Sequence, residues 1–132
     1  MPYSGPSLTA YTTTLVAAVK GASTNKDSVR CASTGAGTFS TAFAAGVALD
    51  GITLVTGDRI LIKNQAAASQ NGIYIVTSGA PTRATDADSW AELVGATVAV
   101  RSGTANAKLT YICTIAAGGT LESTNVTWEA LN

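Results

Sequence analysis

The chain has 132 residues, only 12% of them charged, and its eight basic and eight acidic side chains cancel to a formal net charge of zero. That length suits one domain with a substantial core, yet a domain that stays solitary in solution normally carries about a quarter charged residues and a net charge, so the recipe points to part of an assembly. Clustered positive charge for phosphate binding is missing, and the absence of histidine removes the commonest general base and metal ligand, so neither nucleic acid nor enzymatic catalysis is expected.

Residues 1–27 read as an N-terminal arm. The start, MPYSGPSLTAYTTT, lacks the charged and apolar segments of a signal peptide, and no apolar run approaches a membrane span, so a protein made in a cytoplasm and free of the membrane is expected. The apolar set of the arm is Tyr3, Leu8, Tyr11, Leu15 and Val16, followed by Val19. Tyr11, Leu15 and Val19 have helical spacing, but the β-branched run Thr12 to Thr14 favours extended chain. A segment with too little bulk for its own core keeps such residues for neighbouring subunits. Gly21 to Asp27 reads as a flexible joint, and the folded domain is expected over residues 28–132.

Within that domain the dominant period is two. Ser33 to Gly46, a small-residue stretch holding Phe39 and Phe43, suits a loop or a weak strand. Arg59 to Asn64 and Gly72 to Thr77 are β-branched runs bounded by Thr56-Gly57-Asp58, Asn71-Gly72 and Ser78-Gly79, and are predicted strands. Asn71-Gly72 favours positive φ angles and is expected to end a loop. Gln65 to Gln70 suits a helical turn or a polar loop. Asp86 to Leu93 is a second one-turn helical candidate, with Ser89 and Glu92 spaced as a capping box and Gly95 as its stop. Ala96 to Arg101 places Val98 and Val100 opposite Thr97 and Arg101. Lys108 to Ile115 places Leu109, Tyr111, Cys113 and Ile115 inward, and Val126 to Leu131 does the same with Val126, Trp128 and Ala130.

Few residues offer chemistry. Asp50, Asp58, Asp86 and Asp88 would suit a hard cation, but their spacing matches no calcium loop, and turn or cap roles explain them better. Arg83, three residues before Asp86 and five before Asp88, is expected to clamp that turn, a structural role. Gly35-Ala36-Gly37 and Gly118-Gly119 match no phosphate-binding pattern, and without histidine no activated Ser, Thr or Cys can be assembled. Cys31 and Cys113 read as small buried apolar residues rather than a disulfide. No metal or cofactor is implied.

The strings DGITLVTGDRILIKNQ (50–65), NGIYIV (71–76), TRATDADSWAEL (82–93) and GATVAVRSGTANA (95–107) resemble, in that order, a module recurrent in tail-fibre and other virion proteins of tailed bacteriophages. The resemblance runs from about Lys26 to the C-terminus. It implies a non-enzymatic virion structural protein. In fibre proteins the module sits inside a much longer chain, whereas here it is nearly the whole chain behind an arm. That fits a capsid decoration, or cement, protein on the capsid exterior, assembled in the host cytoplasm. The implied partners are the major capsid protein and two further copies in a homotrimer. Tyr3, Leu8, Tyr11, Leu15 and Val16 would then contact capsid or neighbouring subunits. A tail-fibre or baseplate subunit is the nearest alternative. A host-glycan-binding module is another, with Trp90 and Trp128 as candidate stacking platforms. The fold expected is all-β: a small antiparallel barrel or sandwich of roughly six to eight strands with an extended N-terminal arm.

Overall fold

The computed structural model describes residues 24–132. The predicted arm residues Tyr3, Leu8, Tyr11, Leu15 and Val16 therefore lie outside the described residues. In chain order the elements are β1 (Cys31–Ala32), α1 (Phe39–Ala42), β2 (Ala48–Leu49), β3 (Ile52–Thr53), β4 (Arg59–Ile62), β5 (Gly72–Ile75), β6 (Thr82–Arg83), α2 (Trp90–Leu93), β7 (Thr97–Ala99), β8 (Thr110–Cys113) and β9 (Trp128–Ala130). Short 3-10 turns at Ala68–Gln70 and Thr85–Ala87 precede β5 and α2.

The expected all-β barrel or sandwich is overturned. The described residues are mixed α/β, and among them are three open sheets ordered β1-β4-β5-β6, β2-β3 and β7-β8-β9. Strand periodicity alone could not show this, because alternation fixes which face a side chain takes but not whether the edges of a sheet meet. The helical turn α1 arises where a loop or weak strand is expected. Phe39 and Phe43 stand four apart, so one turn brings the rings together edge to face at 5.6 Å, and Phe39 meets Tyr74 in the same way at 5.0 Å.

Both faces of the central strands are buried, and the period of two separates two cores. Ile60 and Ile62 of β4 and Tyr74 of β5 join Cys31, Phe43, Leu49, Leu54 and Val76. The intervening Leu61 and Ile73, which stand opposite each other in the β4–β5 register, join Val98, Val100, Tyr111, Cys113, Val126 and Leu93. The β7-β8-β9 sheet thus packs on one face of β4–β5, and α1 with the β2–β3 hairpin packs on the other.

The two larger sheets are joined through one stretch of backbone, residues 24–33. Its first half runs parallel to β7: Lys26 N donates to Thr97 O at 2.8 Å and Val29 N to Ala99 O at 2.9 Å. Its second half runs parallel to β4, with Arg30 N donating to Arg59 O at 2.7 Å and Ser33 N to Leu61 O at 2.9 Å. Thr24 to Asp27, expected within a flexible joint, are thus already at the edge of a sheet.

Most strand expectations meet an element, with shorter bounds. Lys108 has φ +67 and lies in the turn before β8, so that strand starts at Thr110 rather than Lys108. In β9 the inward set shrinks: Val126 is buried and Trp128 half-buried, but Ala130, expected inward, is exposed beyond the edge of the core. The expected cap forms at α2, where Ser89 Oγ accepts from Glu92 N at 3.3 Å, but the return bond falls one residue short of the box: Glu92 Oε1 accepts from Asp88 N at 3.2 Å, ahead of the Ser89 N-cap.

Candidate functional site

Ionisable side chains in this fold are largely spent on its own backbone and on each other. Arg83 is not brought to Asp86 or Asp88, the partners expected for it. It lies instead beside β5, donating to Glu122 Oε1 at 2.5 Å, to Asn71 O at 3.2 Å and to Ser69 O at 3.0 Å, with its guanidinium 5.0 Å from the Tyr74 ring. A Cβ at position 72 would stand 2.4 Å from Arg83 Nη1, so glycine there makes room for the guanidinium. Charge alone, at a spacing of three, pointed to the wrong carboxylate, because β6 carries Arg83 toward β5 while Asp86 turns toward β4.

Asp86 is held by Arg59 through a two-bond fork, Nη1 to Oδ1 and Nη2 to Oδ2, both at 2.8 Å. Burial pushes the Asp86 carboxyl up, but the Arg59 hydrogen bonds and charge, with a smaller contribution from Lys26, more than offset it, and the net shift is downward. Asp88 is exposed beside α2. Asp58 accepts from Arg30 Nη1 at 2.6 Å and from Val55 N at 2.8 Å. The aspartates are thus dispersed, and among the described residues no group of three or more His, Cys, Asp or Glu side chains could hold a metal ion.

Asp50 takes the turn role expected of it and adds a long-range one that the sequence reading missed. With Gly51 it forms the two-residue turn of the β2–β3 hairpin, both residues at positive φ (+49 and +82). Asp-Gly is the favoured pair for that turn, so the signal was legible. Its carboxylate then reaches across to the loop before β8, accepting from Ala105 N at 2.9 Å and Asn106 N at 2.9 Å. Asn106, almost fully buried, donates through Nδ2 to Ala32 O and Ser33 O, both at 3.3 Å, and accepts from the Tyr111 hydroxyl at 2.6 Å. Asn71 is a second buried amide. It closes the 3-10 turn just before β5, the loop end expected of Asn71-Gly72, and its side chain accepts from Gln65 N at 3.0 Å and donates to Val126 O at 2.9 Å, so it also ties these segments together.

Both tryptophans are half-buried against the larger core. Trp90 is half-buried, donates Nε1–H to Ala116 O at 2.8 Å, and has Gly119 pressed against its ring so closely that a Cβ there would stand 2.2 Å away. Trp128 packs against the larger core. Cys31 and Cys113 are free, buried and in different cores, as read from the sequence, and burial pushes each thiol up to about 11. A shallow cleft between the loop 34–37 and the β2–β3 hairpin is lined by small side chains with Phe43 and Asp50, and Asp50 is already committed to the loop 105–106.

Comparison with models of protein families, with curated proteins and with solved structures returns no match in any of the three. Among the described residues no helix is long and apolar enough to cross a membrane.

Proposed function

We propose that this protein is a structural component of a tailed-bacteriophage virion, a capsid decoration protein that binds the assembled shell and stabilises it mechanically. The observation that carries the reading is how its few charges are used. Arg30–Asp58, Arg59–Asp86 and Arg83–Glu122 are paired with each other. Asp50 is spent on backbone amides, and Lys26 is buried. What faces solvent is left rich in small uncharged side chains, which suits lasting contact with other proteins better than free solution. The ordered resemblance of residues 50–107 to a phage virion module supplies the setting. Its partners in this reading are the major capsid protein and further copies of itself as a homotrimer, with the arm residues Tyr3, Leu8, Tyr11, Leu15 and Val16 at the contacts. No catalytic step is assigned to it.

The test is quantitative mass spectrometry of purified particles from the phage that encodes the chain. A copy number comparable to that of the major capsid protein is expected. A handful of copies per particle would move the protein to the tail fibre or baseplate, and absence from finished particles would reject a virion role. The glycan-binding alternative loses support from the covered indole of Trp90.

A further inference from the structure

An antiparallel ladder turns alternate residues of each strand toward and away from its partner. In β9 the residues turned toward β8 are identified by Thr114 N donating to Thr127 O at 2.9 Å and Leu131 N donating to Thr110 O at 2.8 Å, with Glu129 opposite Ile112 between them. Trp128 and Ala130 therefore direct their backbone N–H and C=O groups outward. Among the described residues no strand meets them, because β9 ends the order β7-β8-β9. Ala130 is exposed, and Leu131 beside it is 58% exposed. Such an edge is a template for one more strand.

Charge and chain connectivity select the occupant. A second β9 laid antiparallel, with Trp128 opposite Ala130, would set Glu129 against Glu129, and like charges directly opposite are unfavourable. The 23 residues before Thr24 carry no charged side chain until Lys20, and Thr12 to Val16 is a nearly continuous β-branched run suited to an extended strand. Thr24, eight positions after Val16, lies at the other edge of the same sheet, where Thr97 N of β7 donates to Thr24 O at 2.6 Å. Donor and acceptor edges on opposite sides of one sheet give a head-to-tail contact, which forms a ring where the rotation between copies closes and a filament where it does not, and the homotrimer of the proposed function requires the closed case.

We infer that the outward edge of β9 accepts the Thr12–Val16 segment of a neighbouring copy as an added strand, linking copies in a ring. The inference rests on the assembly reading above for its setting and names the contact that would join the copies.

The test uses the full chain, with sedimentation for its mass and amide hydrogen exchange for the edge. A multimer is expected in which the Trp128 and Ala130 amides exchange at least about tenfold more slowly than in dissociated chain. Ala130→Pro, which removes an outward N–H, and Leu15→Asp, which sets an acid near Glu129, are each expected to yield monomers. Leu15 lies outside the described residues and far in sequence from β9, so Leu15→Asp decides the matter if Ala130→Pro misfolds. A monomeric full chain, a multimer whose two amides exchange freely, or a multimer that survives Leu15→Asp would each overturn the inference. Particle binding is scored separately. A ring that binds no phage particle would refute the proposed function and leave the strand exchange standing, and a monomer that binds particles would do the reverse.

Discussion

Asp86 shows how little of a side chain's role follows from its near neighbours in sequence. Its lowered carboxyl pKa depends on Arg59, 27 positions away. A carboxyl depressed in the folded state contributes stability that is complete above its unfolded value, about 3.9, and is lost as pH falls through the lower folded value. Asp86→Asn is therefore expected to lower the melting temperature at neutral pH and to flatten the loss of stability below about pH 4. Melting curves from neutral to strongly acidic pH measure both, and an acid limb unchanged by the substitution would refute the assignment. The cysteines were easier to read, because Cys113 falls on the apolar side of an alternating run. With both thiols buried and pushed up to about 11, an aromatic disulfide reagent at about pH 8 is expected to label neither in the folded chain. In guanidinium it should label both.

At the level of elements, the loop before β8 depends on contacts that no local pattern announces. Asn106 sits where the β2–β3 hairpin, the 31–33 segment and β8 meet, and its side chain serves all three. Asn106→Ala would leave the Tyr111 hydroxyl and two backbone carbonyls without their partner in a buried place. A loss of about 2 to 3 kcal/mol is expected, read as a lower urea midpoint with an unchanged slope. Strands β7 and β8 were legible because each has an apolar face at period two, and β4 and β5 because each is a β-branched run between turn residues. The hairpin β2–β3 carried an Asp-Gly turn signal but has only two residues per strand, too few for a period to be seen. Helix α1 escaped for the opposite reason, since Thr38, Phe39, Thr41 and Phe43 have the composition of a strand, and tertiary contact of the two rings with the β4–β5 face decides for the turn.

For the molecule as a whole, the stretch 24–33 matters most, because one run of backbone closes ladders with both β7 and β4. The sheets also share one core, with Leu61 and Ile73 packed in the same cluster as Val98, Tyr111 and Val126. Neither sheet can open without exposing the other, so a single unfolding transition is expected despite three separate sheets. Tryptophan fluorescence and far-ultraviolet circular dichroism should give coincident urea curves, and separated midpoints would show that the sheets unfold independently.

The sequence by itself determined the sparse charge, the lack of an imidazole, and the alternating faces of β7 and β8. These are properties of composition and of nearest neighbours along the chain, where the side-chain period of an extended backbone acts directly. Only the tertiary structure decided that the sheets stay open, that Arg59 rather than Arg83 holds Asp86, and that Asp50 and Asn106 bind distant loops. Those outcomes depend on which edges and polar groups meet after the chain has turned several times, and hydrogen bonds spanning dozens of residues leave no periodic trace in the order of amino acids.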